Sequence, residues 1–201
     1  YNTLPKKSRR LLHARIAKTL EEQFAERVRL EPELLAYHFE QAGLTGPAIT
    51  YWHLAARRDA NRSANVEALN HFNRALVMVK DLPEGPERDA SELELLIAQG
   101  APMMTVKGYA SQEIERNYLR AKQLSQENSD SGHHFLAVWG VWVFHLVRGP
   151  LVAACDLAEH LLSLAQREQS PDMLIRAHES IGSTYSFLGR FDEAKAHLQE
   201  A

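Results

Sequence analysis

The sequence has little of what marks a disulfide-stabilised, β-rich or membrane-spanning protein. One cysteine, Cys155, stands among 201 residues, so no disulfide can form within the chain. The alternation of Val, Thr and Ile that is typical of strands is nearly absent. The most apolar run, residues 135–147, is broken by Gly140 and His145 and is too short to span a bilayer. With abundant Ala, Leu, Glu, Gln and Arg, the composition predicts an all-α fold.

The sequence also has no excess of charge of one sign. The formal net charge is −3, which gives no general attraction to nucleic acid or to an anionic membrane, so neither is expected as a partner. No signal peptide is visible at the start, and a cytoplasmic location is predicted. The chain begins at Tyr1 rather than Met and ends at Ala201 inside a helical pattern. We therefore interpret it as a piece of a longer protein.

Motifs for chemistry are absent as well. No glycine-rich stretch is followed by the Lys and Ser/Thr of a phosphate-binding loop. The ten histidines include no HExxH arrangement and no cysteine partner at ligand spacing, so satisfied or surface histidines are favoured over metal ligands. The sequence therefore predicts no catalytic residue, no cofactor and no metal, and the fragment is not expected to be an enzyme.

Apolar periodicity predicts a series of helices separated by Gly and Pro. The first is expected over residues 5–29, where the basic cluster at residues 6–10 is interpreted as a solvated face or a domain contact in preference to a phosphate site. The Gly100-Ala101-Pro102 sequence is expected to break or kink the chain. Further helices are predicted at residues 33–42, 47–61, 65–80, 87–99, 111–127, 134–147 and 151–166, followed by a last pair from Ser170.

An internal repeat organises these helices. Small or apolar residues recur as triplets at positions i, i+4 and i+7, and the last three triplets are spaced by 40 residues. A period of this length indicates stacked helical pairs, that is, a solenoid. The prediction is one continuous solenoid, with irregular pairs in residues 1–82 and regular repeats in residues 83–201. The triplets are Ala48/Trp52/Ala55, Ala68/Phe72/Ala75, Ile114/Tyr118/Ala121, Ala154/Ala158/Leu161 and Ala194/Leu198/Ala201.

The last 26 residues, RAHESIGSTYSFLGRFDEAKAHLQEA, resemble the tetratricopeptide repeat (TPR). His178 stands where that family has Trp. The resemblance implies a right-handed superhelix of antiparallel helical pairs, with Gly182 and Ala194 letting two helices approach closely. The matching positions are Ile181, Gly182, Tyr185, Gly189, Phe191, Ala194, Leu198 and Ala201.

A second resemblance covers nearly the whole chain. The runs LLHARIAKTLEEQF and PELLAYHFEQAGLTGPAITYWHLAARRDANRSANVEALNHFNRAL, with Trp139-Gly140-Val141-Trp142 later on, are similar to the helical-repeat region that follows the ATPase module in large bacterial signal-transduction ATPases. Many of these carry class III adenylate/guanylate cyclase or transcriptional-regulator domains. The resemblance implies a non-catalytic region that senses a ligand or partner and restrains the ATPase, with the nucleotide and cyclase sites upstream.

The segment at residues 135–144 is apolar nearly all round, which indicates either burial on every side or a groove that receives a partner. Burial is favoured. If a groove is present, the repeat register predicts five partner-binding residues. The partner would be a protein or peptide, or another domain of the same chain. The alternative is a small-ligand sensor with an apolar pocket at Trp139 and Trp142, which a deep closed cavity would favour. The predicted residues are Trp139, Val143, Arg176, Glu179 and Ser183.

Overall fold

The structure is a computed structural model that describes residues 5–127 and 131–201. The described residues form helices and turns and contain no strand. The all-α prediction is therefore confirmed. The chain divides into two compact units, residues 1–102 and residues 103–201.

Twelve helices occur in the described residues. The first unit contains α1 (Lys6–Gln23), α2 (Ala25–Leu30), α3 (Pro32–Ala42), α4 (Thr45–Asn61), α5 (Asn65–Val79) and α6 (Pro86–Ala98). The division between the units falls within α7 (Gly100–Lys107). The second unit continues with α8 (Gln112–Glu127), α9 (Ser131–Arg148), α10 (Leu151–Glu168), α11 (Pro171–Phe187) and α12 (Phe191–Glu200).

In the first unit, helices packed side by side bury the predicted triplets. α1 packs on α3, α3 on α4, α4 on α5 and α5 on α6. Trp52 and Phe72 fill the interior, while the alanines beside them keep the helix axes close. All six members of these two triplets, Ala48/Trp52/Ala55 and Ala68/Phe72/Ala75, are at most 2% exposed.

A polar cluster crosses the same core. The Asp59 carboxylate is 6% exposed, and its Oδ1 accepts hydrogen bonds from Arg58 Nε at 2.9 Å and Nη2 at 2.6 Å. Its Oδ2 lies 3.1 Å from His71 Nδ1 on α5. Arg58 Nη1 also donates to Glu33 Oε2 on α3 at 2.6 Å. The buried carboxylate is thus compensated by groups on two helices, as burial of a charge requires.

The second unit repeats the arrangement with α8 to α12, each helix packed on the next. The triplets on α8 and α10 are buried, and so is Ala194 on α12. A Cβ atom on Gly182 would lie 2.6 Å from Leu198 Cγ, so the glycine is needed for the close approach of α11 and α12, as predicted. Leu198 itself is 48% exposed and Ala201 is exposed, which the triplet pattern did not predict.

Two of the predicted turn glycines end their helices in the left-handed conformation. Gly43 has φ of 77° and Gly189 has φ of 75°, and in each case the next residue's N–H donates to a carbonyl five residues earlier. Gly149 stands five residues before Ala154, as Gly43 and Gly189 stand before Ala48 and Ala194, but it is not left-handed. A Cβ atom there would overlap with the ring of His145, so close packing explains this glycine.

Two helix predictions needed correction. The single helix expected over residues 5–29 is interrupted at Phe24, which has φ of −130° and ψ of 40° and separates α1 from α2. Phe24 is 49% exposed, so no buried contact keeps it in the helical conformation. The break predicted at Gly100-Ala101-Pro102 lies one residue earlier, at Gln99, and these three residues begin α7, a helix that the sequence analysis missed. A proline in the first turn of a helix has no hydrogen bond to lose.

The contact between α8 and α9 gives a test of how closely the helices are packed. A Cβ atom on Gly140 would overlap with the ring of Tyr118, which is 4% exposed and cannot swing aside into solvent. We expect Gly140→Ala to lower the free energy of unfolding by about 1–3 kcal/mol, because overpacking strains the core. Urea denaturation followed by circular dichroism measures this change.

Gly46→Ala is the matched control, since nothing lies within 4 Å of a Cβ atom at that position in α4. This substitution should be neutral or stabilise by up to about 1 kcal/mol, because alanine favours the helix. Equal effects of the two substitutions would contradict the close α8–α9 packing.

Candidate functional site

The structure brings together two of the five residues predicted to contact a partner. Trp139 lies on α9 and is half-buried, and Arg176 lies on α11 and is exposed. The guanidinium carbon of Arg176 is 6.0 Å from the centre of the Trp139 ring, at the outer limit of a cation–π contact. The exposed guanidinium of Arg176 therefore lies next to the half-buried ring of Trp139.

Trp139 rests against a fixed layer of the core. The ring centres of Trp139 and Trp142 are 6.3 Å apart. The Trp142 side chain is 6% exposed, and its Nε1–H donates to Thr184 Oγ1 on α11 at 2.9 Å. Thr184 Oγ1 in turn donates to the carbonyl of Ser180 at 2.7 Å. Because these hydrogen bonds hold Trp142 in place, they also fix the surface on which the ring of Trp139 packs.

A depression of about 360 Å³ opens beside Arg176, between the first turns of α9 and those of α11. It is open to solvent and has a mainly apolar floor. The N-terminal turn of α11 is held at its edge by Ser170, whose Oγ accepts from Met173 N at 3.5 Å. We call this depression, together with Trp139, the α9–α11 groove. Its apolar lining residues are Phe135, Leu136 and Met173, and its polar rim includes His133, Asp172 and Arg176.

The other three predicted residues do not line this depression. Val143 is 5% exposed, so it supports the groove from within the core and offers no surface to a partner. Glu179 is exposed and Ser183 is half-buried, and both lie further along α11 than Arg176. Residue 183 is about 10 Å beyond residue 176, at about 1.5 Å per helical residue. The depression thus lies on the two helices that the repeat register named, but nearer to their N-terminal turns than Glu179 and Ser183.

Met173 and Phe135 were missed by the sequence analysis. Met173 is one turn before Arg176 on α11, a spacing that puts the two side chains on the same face. Phe135 was assigned to the apolar segment as a whole, eight of whose residues on α9 are buried. Burial therefore explains most of that segment, and only Leu136 and Trp139 contribute to the surface.

The histidines form pairs across helix contacts. His13 Nδ1 on α1 lies 2.8 Å from His38 Nδ1 on α3, and His178 Nδ1 on α11 lies 3.1 Å from His197 Nδ1 on α12. At these distances one ring donates and the other accepts, so the accepting ring of each pair must be neutral. Burial, and then the neighbouring His13, lowers the pKa of His38. No group of three or more His, Cys, Asp or Glu side chains that could hold a metal occurs in residues 5–127 and 131–201.

Cys155 is half-buried on α10. Burial raises the pKa of its thiol, Glu159 and Asp156 raise it further, and Arg190 opposes them. A thiol that stays protonated at neutral pH is a poor nucleophile. Cys155 is therefore a packed side chain of α10 rather than an activated nucleophile.

The pair at α11 and α12 predicts a measurable change in titration. Burial, and then His178, lowers the pKa of His197 from its usual 6.5, while Glu193 and Glu200 oppose the shift. We expect His178→Gln to raise the pKa of His197, because a repelling charge is removed. Proton NMR of the ring signals against pH measures it, with His38 as the internal control. An unchanged His197 midpoint would contradict the pairing.

The same pairing sets the sign of a stability change. Below pH 6.5 the unfolded chain binds protons that the folded histidine resists, so the free energy of unfolding falls as the pH drops through the lowered folded pKa. The slope per histidine is at most about 1.4 kcal/mol per pH unit. His178→Gln should make this slope shallower in urea denaturation curves recorded from pH 7 to pH 5.

Comparisons with known proteins add one relative. No family model matches the chain. An uncharacterized protein of Rhizobium meliloti (strain 1021) is 25% identical over 197 residues, which cover 97% of this chain and 19% of the relative. The chain thus spans about a fifth of the length of the curated relative it matches. Among the described residues, none of the helices combines the length and apolar character needed to cross a membrane.

Proposed function

We propose that this chain is a non-catalytic helical-repeat region, of the TPR type, that binds a protein segment through the α9–α11 groove. The segment comes from a separate protein or from another domain of the same protein. Its role is regulatory, and its location is cytoplasmic. Neither a metal, a cofactor nor a nucleic acid takes part in this function.

The observation that carries the proposal is the exposed Arg176 beside the half-buried Trp139 at the edge of an apolar depression. An apolar side chain of a partner would cover Leu136 and Met173, which lie over the buried Phe135, and an acidic side chain would pair with Arg176. Binding sites for peptides on helical proteins commonly combine an apolar anchor with a charge at the rim. The expected ligand is therefore a helical or extended segment with one large apolar and one acidic residue.

The alternative is a small-ligand sensor of the same fold. Such a site would need an enclosed apolar pocket that covers most of its ligand. The depression beside Arg176 is instead open to solvent, and Trp142, which does not line it, is buried and hydrogen-bonded to Thr184. This openness supports a macromolecular partner over a small molecule.

The proposal extends to the parent protein. The sequence pattern resembles the repeat region that follows the ATPase module of bacterial signalling ATPases. The Rhizobium meliloti relative is about five times as long as the stretch that it shares with this chain, which leaves room for further domains in a protein of that kind. We propose that the groove receives a segment that couples the repeats to such an ATPase or to a linked cyclase domain.

A peptide library displayed on phage and selected on the purified chain tests the groove. We expect the enriched peptides to share a large apolar and an acidic residue. Arg176→Glu should weaken their binding at least about tenfold, because it replaces an attraction by a repulsion at the rim. Trp139→Ala should weaken it as well. Isothermal titration calorimetry measures both affinities.

Arg167→Glu provides the matched control, since it makes the same change of charge at an exposed position on α10 outside the groove. It should leave the affinity within about twofold. Peptides that bind wild type, Arg176→Glu and Trp139→Ala equally well would refute the groove as the binding site. Circular dichroism of each variant verifies that it remains folded.

A further inference from the structure

The first unit carries a cationic cleft that the proposed function does not use. Lys6, Arg9, Arg10 and His13 follow one another at the spacing that places side chains on one face of α1. The structure packs this helix against α3 and lines a cleft of about 250 Å³ with the four side chains. Glu40 and Gln41, near the end of α3, complete the lining.

The cleft concentrates positive charge in a chain that is negative as a whole. Lys6, Arg9 and Arg10 bring three positive charges against the single carboxylate of Glu40, whereas the formal net charge of the chain is −3. Lys6 and Arg10 are exposed at their positions in the first two turns of the helix. Such a local excess attracts an anion to this place despite the net charge.

The carboxylate of Glu40 is already engaged by groups outside the cleft. Its Oε2 accepts a hydrogen bond from Trp52 Nε1 on α4 at 2.9 Å. Its Oε1 lies 3.7 Å from Arg74 Nη2 on α5. The carboxylate is thus shared with Arg74 and is not dedicated to Lys6 and Arg10.

The position of the basic side chains is set by the fold. The Arg10 guanidinium carbon lies 3.7 Å from where a Cβ atom would stand on Gly43, the residue that ends α3. His13, on the next turn of α1, is 5% exposed and is held by its contact with His38 Nδ1 at 2.8 Å. The cleft therefore has a rigid inner wall, His13, and longer cationic side chains at its mouth.

We propose that this cleft binds the phosphate group of a small phosphorylated ligand. Guanidinium and ammonium groups are the usual partners of phosphate, and arginine can form two parallel hydrogen bonds with its oxygens. The amide of Gln41 supplies a further donor. The cationic groups occupy about two helical turns rather than an extended stripe, which favours a single phosphate group over the backbone of a nucleic acid.

Titration of the chain with inorganic phosphate and with pyrophosphate, each followed by NMR, tests the proposal. The ring signals of His13 should shift with saturation, whereas those of His178 in the second unit should not. Isothermal titration calorimetry in parallel gives the dissociation constants. Lys6→Gln combined with Arg10→Gln should raise them at least about tenfold, because two of the three full charges are removed.

Lys7→Gln combined with Arg15→Gln is the matched control. It removes the same charge from exposed positions of the same helix that do not line the cleft, and it should change the dissociation constants less than about twofold. Glutamine favours helices, and all four positions are exposed, so both variants should keep the helical content of the wild type.

Three results would overturn the proposal. The two double variants could weaken phosphate binding equally, which would indicate a general charge effect. The His13 signals could stay unmoved at saturation. A short DNA duplex could bind more tightly than pyrophosphate and lose its affinity in the Lys6/Arg10 variant, which would assign the cleft to nucleic acid. None of these results bears on the α9–α11 groove, so the proposed function is tested separately.

Discussion

Close approach of neighbouring helices is the constraint on which both units depend. The helices meet through alanine and glycine, with one large side chain between two small ones, as in Ala48/Trp52/Ala55 on α4. At Gly140 and Gly182 even a methyl group would meet Tyr118 or Leu198. Such close packing removes one face of a helix from water along the whole length of the helix. Short helices need this burial because they are only marginally stable in isolation. The polar groups that remain inside must then find partners across the contacts.

The need for such partners explains the positions of several charged side chains and histidines in the chain. Asp59 on α4 pairs with the adjacent Arg58 and lies 3.1 Å from His71 on α5, while Trp142 on α9 donates to Thr184 on α11. The histidine pairs serve the same purpose, since each joins two adjacent helices through their ring nitrogens. Such pairs are stable while the rings are neutral and weaken when both are protonated. The contacts that hold the helices together near neutral pH therefore also make the structure sensitive to acid.

The sequence predicted the helical class, most helix ends and four buried triplets, because apolar periodicity records which face is covered. The prediction failed at Phe24, where the helix is interrupted, and at Leu198, which is exposed. Both features depend on what packs against the helix, which periodicity does not record. Two of the five residues expected to contact a partner lie close together. The repeat register placed Trp139 and Arg176 on facing helices, and the structure brings them together. The register could not reveal that Val143 points into the core or that Met173 completes the surface, since both depend on how far one helix is shifted along the other.

The three tryptophans of the chain show why the α9–α11 groove, which contains Trp139, is a better candidate for a partner site than the surroundings of Trp52 or Trp142. Trp52 and Trp142 are at most 6% exposed, and the indole N–H of each donates to a side chain on another helix. Both are explained by the core, as buried tryptophans usually are. Arg74 stacks over Trp52 at 4.3 Å, but that arginine already lies near Glu40. Trp139 is instead half-buried beneath an exposed arginine and beside an apolar depression, an arrangement that the packing of the helices alone does not require.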